Sequence, residues 1–246
     1  MLRVFAPEGP SDGLIDLGRE EAHHLVNVRR VEAGERVEAF DGRGQSWMCE
    51  VVEWGRNHCL LRAHSPGDHK DRDANRPEIV IATAVPKGDR FDWLVEKATE
   101  LGVDRLVPLR CDRSVVDPRD SKIDRLRQLV IESCKQCGRN KLMQIDSPVS
   151  VAALLAETPG GSGAPVVYWA DREGLPAGQT LPQAALEKTL LVLIGPEGGW
   201  SDRERTVLRS GQYHCLKLAE HILRIETAAI AAAAVLASLA VQNQSE

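Results

Sequence analysis

Two short segments near the C-terminus could bind a ligand through their backbones, and the first of them has few side chains. The first, residues 195–199, reads GPEGG, and the second, residues 219–224, reads AEHILR. Each follows an apolar run typical of a buried strand, and glycines permit backbone angles that are closed to other residues. Exposed backbone N–H and C=O groups in such loops suit an adenine bound along its edge. A tight strand-to-helix turn without a ligand explains the first segment equally well when it is taken alone.

The glycine-rich segment does not fit the common nucleotide-binding loops. It lacks the lysine and hydroxyl of a phosphate-binding loop, and it lacks the G-x-G-x-x-G spacing of a Rossmann turn. The sequence therefore indicates neither ATP nor NAD as its ligand.

Polar residues that directly follow predicted elements are the candidates for chemistry on a substrate. These are Arg139, Asn140 and Lys141 after a helix, and Arg113 and Ser114 after a strand. An arginine fork can hold a phosphate through two hydrogen bonds or stabilise an anion such as that of uracil, although a single arginine at an element end is more often a cap or a surface charge. Glu197 and Glu132 are candidate proton acceptors, and each is as readily explained as a structural carboxylate.

The sequence indicates no metal or redox site. Cys134 and Cys137 have C-x-x-C spacing, but they lie inside a predicted helix and no second pair completes four ligands. His23 and His24 likewise have no partner at metal-ligand spacing. A structural role is the better interpretation for both pairs.

The two loops lie in a part of the chain where predicted strands and helices alternate. Apolar runs predict strands at residues 78–85, 105–109, 142–145, 166–170, 190–194 and 213–218. Helical patterns lie at residues 89–101, 123–137, 151–157, 201–210 and 227–241, and Ser201 with Glu204 forms a capping box. Glycines predict loops at residues 159–163 and 174–179. This alternation predicts a mostly parallel α/β sheet with helices on both faces, and ligands usually bind at the carboxyl ends of such strands.

The N-terminal part has a different pattern. Short β-like runs at residues 3–5, 36–40, 47–54 and 59–62 are separated by turn signals, and residues 41–44, DGRG, predict a hairpin. Residues 20–28 are its one helical candidate. We therefore expect a small, mostly β domain at residues 1–70, a polar linker at residues 71–77, and an α/β domain at residues 78–246.

Composition limits the class of protein. The 246 residues carry a net charge of −5, which argues against nucleic-acid binding through overall charge. Residues 105–141 nevertheless contain ten Lys and Arg against five Asp and Glu, a local excess that fits either a phosphate-binding face or a solvated helix. We expect no membrane span, and the six scattered cysteines suit a reducing, cytoplasmic compartment.

The ordered motifs resemble those of the SPOUT methyltransferases, and within them the family that methylates N3 of a uridine in 16S ribosomal RNA. The resemblance lies in residues 194–199 and 218–228, in residues 87–90 and 97–103, in Arg113 with Ser114, and in Glu132 with Gln136 and Arg139. His24, residues 28–29 and residues 41–44 are similar to the family's PUA-like RNA-binding barrel. Lys135, Ala219 and Ile225 depart from the residues common in the family, which are glutamate, glycine and threonine.

The resemblance implies a trefoil-knotted methyltransferase domain, a homodimer, and S-adenosylmethionine as the cofactor. It assigns cofactor binding to Ile194, Gly195, Pro196, Glu197, Gly198, Gly199, Leu218, Ala219, Ile222, Leu223, Arg224 and Thr227. It assigns substrate binding to Arg29, Arg43, Lys87, Arg113, Ser114, Arg139 and Asn140, and catalysis to Arg139, Glu132 and Arg224. The implied partners are 16S rRNA or the small ribosomal subunit, with no membrane and no metal.

Three alternatives remain open from the sequence. The first is another methyltransferase of this fold, acting on a ribose 2′-hydroxyl or on tRNA. The second is a non-catalytic RNA-binding or assembly module. The third is a small-molecule nucleotide enzyme, which the missing phosphate motifs disfavour.

Overall fold

The computed structural model describes residues 1–55, 58–66, 76–116, 123–158, 163–181, 189–211 and 213–242. The chain divides into two compact units, the first formed by Met1–Ala74 with Ile131–Leu142 and the second by Asn75–Val130 with Met143–Glu246. The boundaries expected from the sequence stay a prediction, and residues 71–75 of the expected linker lie outside the described part. No helix in the described ranges combines the length and apolar character needed to cross a membrane.

Strands and helices follow one another along the chain, and most of them lie where the apolar patterns predict. The strands are β1 Leu2–Phe5, β2 Leu14–Asp16, β3 Arg36–Phe40, β4 Ser46–Gly55, β5 His58–Pro66, β6 Ile79–Ala84, β7 Arg105–Arg110, β8 Gln144–Ile145, β9 Val149–Ser150, β10 Val166–Pro176, β11 Leu190–Ile194 and β12 His214–Lys217. The helices are α1 Arg19–His23, which continues as a π-helical turn at His24–Val28, then α2 Arg90–Glu100, α3 Ile123–Cys137, α4 Val151–Glu157, α5 Ala177–Thr180, α6 Asp202–Ser210 and α7 Ile225–Gln242.

The first unit is built on a five-stranded sheet in the order β1-β3-β4-β5-β2. Strands β3 and β4 form the expected antiparallel hairpin, and its turn is fixed by the Asp41 carboxylate, which accepts hydrogen bonds from the backbone N–H groups of Arg43 and Gln45. The small β domain predicted from the sequence is confirmed. Two features have no signal in the sequence pattern: the short strand β2, and the parallel pairing of β1 with β3.

The end of α3 and the turn after it belong to the first unit. Gly138 has a left-handed φ of 85°, which turns the chain directly after the helix. The Leu142 N–H donates to the Gly42 carbonyl at 2.9 Å, and the Gly44 N–H donates to the Asn140 carbonyl at 3.2 Å. A Cβ on Gly42 would lie 2.8 Å from the Leu142 side chain, so this close approach requires glycine.

The second unit is built on a fully parallel sheet in the order β12-β10-β11-β6-β7-β8, with β9 also paired to β7. Every residue of β6 and β11 is buried, as expected for central strands of an α/β sheet. The predicted α/β class with a mostly parallel sheet is therefore confirmed.

Strand β10 corrects one expectation from the glycine pattern. Residues 174–179 are not a loop, because β10 continues to Pro176 and α5 begins at Ala177. The pairing of β10 with β12 is irregular between Ala170 and Leu175. A Cβ on Gly174 would lie 2.6 Å from the backbone of Leu216, so glycine is required where this part of β10 passes close to β12. Residues 159–162 of the other predicted loop lie outside the described part.

Local signals set the ends of the helices that flank the sheet. Ser201 and Glu204 form the complete capping box of α6, as predicted. Asp89 stands at the N-cap of α2 without a side-chain cap hydrogen bond, whereas Gly102 ends this helix with a φ of 80°. Helix α7 packs against α2, β6 and β11 through small buried residues, namely Ala229, Ala232, Ala233 and Ala240.

Candidate functional site

The carboxyl ends of three neighbouring strands, β12, β10 and β11, open on a cavity of about 310 Å³, which we call the cleft. Ten predicted cofactor residues line it: Ile194, Gly195, Pro196, Glu197, Gly198, Gly199, Leu218, Ala219, Ile222 and Leu223. The two loops singled out in the sequence therefore meet at one place, because β11 and β12 both flank β10. A cleft at this edge is the usual ligand position of an open α/β sheet.

Trp200 shapes the floor of the cleft. Its side chain is 2% exposed, and its indole N–H donates to the Ala170 carbonyl at 3.0 Å. A Cβ on Gly195 would lie 2.9 Å from the Trp200 ring. Glycine at position 195 therefore lets the ring pack directly under the loop.

Arg113 holds the glycine-rich loop in place. Its Nη1 donates to the Gly198 carbonyl at 3.2 Å and to the Trp200 carbonyl at 3.3 Å. A Cβ on Gly198 would lie 3.1 Å from the Arg113 Cβ, so the two backbones approach closely. The sequence predicted a substrate contact for Arg113, whereas the described contacts of its guanidinium are with this loop. Its neighbour Ser114 is partly buried, and its N–H donates to the Cys111 carbonyl at 3.0 Å.

A buried carboxylate connects the segment after β7 to the start of α6. Glu204 is 6% exposed, and its two oxygens accept hydrogen bonds from the N–H groups of Asp112 at 3.1 Å and Ser201 at 2.8 Å. The Ser201 hydroxyl donates to the Asp112 carboxylate at 2.6 Å. Burial, with a smaller contribution from the Glu204 charge, raises the pKa of the Cys111 thiol to about 12. This thiol is therefore neutral, and it has the character of a packing residue.

Several cleft residues were missed by the sequence reasoning. The cleft is also lined by Ala170, Asp171, Arg172, Trp200, Arg205 and Leu216, which the sequence did not single out, and by His221 and Ala228, which lie in the segment at residues 218–228 that resembles the family. Asp171 forms an ion pair with Arg205 of α6 at 2.8 Å. Asp171 and Arg172 could have been predicted from their position, because they directly follow the predicted strand at residues 166–170 and this strand lies beside β11.

Arg224 and Thr227 lie in a second cavity that adjoins the cleft. This cavity has a volume of about 670 Å³ and shares Ile222 and Leu223 with the cleft. Its other lining residues are Asp89, Arg90, Trp93 and Glu226, and the Arg90 Nε lies 3.7 Å from the Glu226 carboxylate. The cofactor contact expected for Arg224 and Thr227 stays a prediction. Lys87 is exposed in the segment between β6 and α2.

The remaining predicted site residues belong to the first unit: Arg29, Arg43, Glu132, Arg139 and Asn140. Arg29 and Arg43 are exposed, and the Arg43 guanidinium contacts Asp41 at 3.3 Å and the Pro7 carbonyl at 2.5 Å.

Two of these first-unit residues are already engaged with neighbours. Asn140 is 8% exposed, and both ends of its amide are bonded inside the unit, to Arg3 and to Ser46. The Glu132 carboxylate accepts a hydrogen bond from the Lys135 ammonium at 2.8 Å. Arg139 is partly buried. Neither the substrate role of Asn140 nor the catalytic roles are tested by these contacts.

The described residues contain no group of three or more His, Cys, Asp and Glu arranged to hold a metal ion. The chemistry of the cleft is instead that of backbone carbonyls and N–H groups, apolar walls from Ile194, Leu218 and Leu223, and the Asp171–Arg205 ion pair. Such a surface suits a flat, partly polar ligand.

Comparison with known proteins identifies the family. Residues 73–237 match the RNA methyltransferase domain, and residues 17–63 match the RNA methyltransferase PUA domain. The chain belongs to the RNA methyltransferase domain family. The resemblance predicted from the loop motifs is thereby confirmed, and the protein is an enzyme of this family.

Similar proteins cover nearly the whole chain. The ribosomal RNA small subunit methyltransferase E of Bacillus subtilis is 29% identical over 85% of this chain and 84% of its own. The same enzyme from Neisseria gonorrhoeae, solved bound to S-adenosyl methionine, superimposes with a TM-score of 0.86 at 25% identity over 97% and 98% of the two chains. A Legionella pneumophila protein solved with bound SAM has a TM-score of 0.83 at 27% identity, over 96% and 97%.

Proposed function

We propose that the protein transfers the methyl group of S-adenosylmethionine to N3 of a uridine in 16S ribosomal RNA of the small subunit. The observation that carries this proposal is the cleft, in which the two backbone-rich loops meet at the carboxyl ends of β10, β11 and β12. Relatives named as ribosomal RNA small subunit methyltransferase E, one of them solved with the cofactor bound, support both the cofactor and the substrate class.

The cleft fits the cofactor in size and chemistry. Its volume of about 310 Å³ lies at the lower end of the range for small-molecule sites, roughly 300–1,000 Å³. A side chain at Gly195 or Gly198 would meet Trp200 or Arg113, so glycine at these positions lets the loop pack closely against both residues while it lines the cleft. We assign the adenine to the apolar surface of Leu218 and Ile222, and its polar edge to the backbone of the two loops. When bound, S-adenosylmethionine supplies an electrophilic methyl group on a sulfonium sulfur.

The protein's own residues must remove one proton. N3 of uridine carries a weakly acidic N–H, so methylation requires a proton acceptor and a group that stabilises the resulting anion. Glu197 lines the cleft and is exposed to a substrate, whereas proton capture by Glu132 would break its ion pair with Lys135. We therefore favour Glu197 over Glu132 as the base.

Arginines carry the complementary roles in this proposal. Arg139 stabilises the developing charge on the uracil, with Arg224 as a second candidate because it lies beside the cleft. Arg113 acts on the cofactor loop through the carbonyls of Gly198 and Trp200. Arg29, Arg43 and Lys87 are exposed cations that would hold RNA phosphates and fix the register of the substrate.

The finer features of the family remain part of the proposal. We propose domains at residues 1–70 and 78–246 around a linker at 71–77, a trefoil knot in the second domain, and a homodimer. We also propose that the enzyme works in the cytoplasm on ribosomal subunits, without a metal and without a membrane. The match of residues 17–63 to the PUA domain of RNA methyltransferases supports an RNA-binding role for the N-terminal domain.

The test is methyl transfer from labelled S-adenosylmethionine to small ribosomal subunits that lack the modification, with the product nucleoside identified by mass spectrometry. We expect N3-methyluridine from the wild-type protein and a strongly reduced but measurable amount from Arg139→Ala, although this variant should still bind the cofactor by calorimetry. A ribose 2′-O-methyl product, or transfer to tRNA instead, would identify another activity of the same fold. Cofactor and RNA binding without any transfer would identify a non-catalytic module.

A further inference from the structure

The first unit contains a buried arginine that no role in methyl transfer explains so far. We propose that Arg3 is a positioning residue, which holds the turn at residues 138–141 and thereby Arg139 in the geometry that methyl transfer requires. This inference rests on the proposed function, because it takes Arg139 as the residue that acts on the substrate.

The Arg3 guanidinium is surrounded by acceptors from both parts of the unit. Its side chain is 6% exposed, and its Nε donates to the Glu38 carboxylate at 3.0 Å. Its Nη1 donates to the Cys134 carbonyl at 2.8 Å and to the Arg139 carbonyl at 3.3 Å, and its Nη2 donates to the Asn140 side-chain oxygen. One planar group thus joins strand β3 to the end of α3 and to the turn after it.

The strand register places this arginine beside its counterion. Arg3 and Glu38 are direct partners in the parallel pairing of β1 with β3, and Glu38 is 1% exposed. The guanidinium also lies 4.7 Å from the centre of the Phe40 ring, a cation–π contact. The sheet therefore fixes Arg3 on one side, so that its remaining donors point in a defined direction.

Two of the four acceptors that Arg3 binds are backbone carbonyls at the end of α3 and in the turn that carries Arg139. The Cys134 carbonyl belongs to the last turn of α3, and the Arg139 carbonyl belongs to the residue whose side chain is proposed to act on the uracil. Asn140 extends the same network, because its side-chain nitrogen donates to the Ser46 hydroxyl at 3.2 Å. The Asn140 amide therefore helps to fix the turn that carries Arg139.

Lysine cannot reproduce this arrangement. A guanidinium presents five N–H donors in a rigid plane, and Arg3 directs four of them to the four acceptors named above. An ammonium keeps the charge near Glu38 but cannot reach the carbonyls of Cys134 and Arg139 and the Asn140 oxygen at the same time. Arg3→Lys should therefore loosen the turn while it preserves the charge of the unit.

The experiment compares Arg3→Lys with a matched control in the second unit. Arg76 is also a buried arginine paired with a carboxylate, since its side chain is 9% exposed and contacts Asp104 at 2.8 Å and the Gly102 carbonyl at 2.8 Å. Asp104 lies at the amino end of β7, opposite the edge that carries the cleft. Arg76→Lys should therefore lower stability without changing turnover of the folded enzyme.

Steady-state methyl transfer to unmodified small subunits is measured for the full chain, below the unfolding temperature of each variant. We expect kcat of Arg3→Lys to fall by roughly 10- to 100-fold, the cost of a misplaced catalytic group, with an unchanged Kd for S-adenosylmethionine by calorimetry. Arg76→Lys should keep the wild-type kcat. If Arg3→Lys does not fold, Asn140→Leu is tested instead. This variant removes the hydrogen bonds of the Asn140 side chain to Arg3 and Ser46 and should lower kcat in the same way.

The double variant Arg3→Lys with Arg139→Ala decides whether Arg3 acts through Arg139. We expect it to be no slower than Arg139→Ala alone, because the residue that Arg3 positions is already absent. A further loss in the double variant, or equal kcat values for Arg3→Lys and Arg76→Lys, would overturn the inference alone. A wild-type protein that makes no N3-methyluridine, or an Arg139→Ala variant with normal turnover, would overturn the proposed function or the role of Arg139, and this inference with it.

Discussion

Gly195 is the position where a single methyl group should damage the cleft most. A Cβ at this residue would lie 2.9, 3.1 and 3.2 Å from three atoms of the Trp200 ring. Because all three atoms belong to the fused ring system, either the indole or the loop must move. Trp200 is 2% exposed and bonded to the Ala170 carbonyl, so a shift of the indole would cost packing contacts and this hydrogen bond. We therefore expect Gly195→Ala to shift the loop at residues 195–199 together with Trp200.

The magnitude follows from overpacking of a tight interior, which costs about 1–3 kcal/mol. A loss of about 2 kcal/mol in the free energy of unfolding corresponds to a fall of about 4–8 °C in Tm for a chain of this size. The displaced residues line the cleft, so cofactor affinity should fall as well. A loss of about 1.4 kcal/mol in binding would raise the Kd for S-adenosylmethionine about 10-fold.

Calorimetric titration with S-adenosylmethionine and thermal unfolding measure the two effects. Gly178→Ala is the matched control, since a Cβ there meets no heavy atom within 4 Å, and it should leave both quantities unchanged. Trp200→Phe removes the ring atoms that the new Cβ would meet, so the losses of Gly195→Ala and Trp200→Phe should be less than additive in the double variant. Wild-type affinity and Tm in Gly195→Ala would refute the packing argument.

Three further outcomes are expected from contacts around the cleft. Arg113→Ala removes the donor to two loop carbonyls and should raise the Kd for S-adenosylmethionine severalfold in the same titration. An unchanged Kd would show that the loop keeps its conformation without Arg113. Glu204→Gln keeps only one acceptor oxygen for two backbone N–H groups and should lower the free energy of unfolding by about 0.5–2 kcal/mol. A urea titration that gives the same free energy of unfolding for this variant and for wild type would contradict this. Burial raises the pKa of four thiols, those of Cys49, Cys59, Cys111 and Cys215, from 9.0 to about 11 or 12. The stability that these neutral thiols contribute is therefore fully present below pH 9 and should fall as the pH rises beyond it, less steeply in Cys59→Ala than in wild type. Equal slopes for Cys59→Ala and wild type above pH 9 would exclude this contribution.

The sequence predicted the second sheet well because its strands carry a local signal. The central strands β6 and β11 are buried on every residue, and such strands appear as continuous apolar runs. The loop after β11 was recognisable because glycines and an S-x-x-E capping box follow the run directly. Both features depend on neighbours within a few residues, which is the range over which sequence patterns are informative.

Strand order was beyond the reach of the pattern, and it decides which residues line the cleft. Asp171 and Arg172 line it because β10 lies between β11 and β12, although β10 precedes both in the chain. The rule that ligands bind at strand ends was available from the sequence. The sequence did not show which three strands are neighbours, because parallel strands are connected by crossovers and the residues near each strand do not indicate its partners.

The same limit explains why arginine roles were the hardest to predict. The sequence did not reveal that the Arg113 guanidinium binds the carbonyls of Gly198 and Trp200, at least 85 residues away in the chain, and the substrate contact expected for it stays a prediction. Arg3 received no role at all, yet it binds carbonyls at residues 134 and 139, more than 130 residues away. A backbone carbonyl is present at every residue and therefore carries no signature of its own. An arginine that fixes a distant backbone segment can consequently be recognised only once the fold has brought the two together, and in this enzyme the segments so fixed are the loop at residues 195–199 and the turn that carries Arg139.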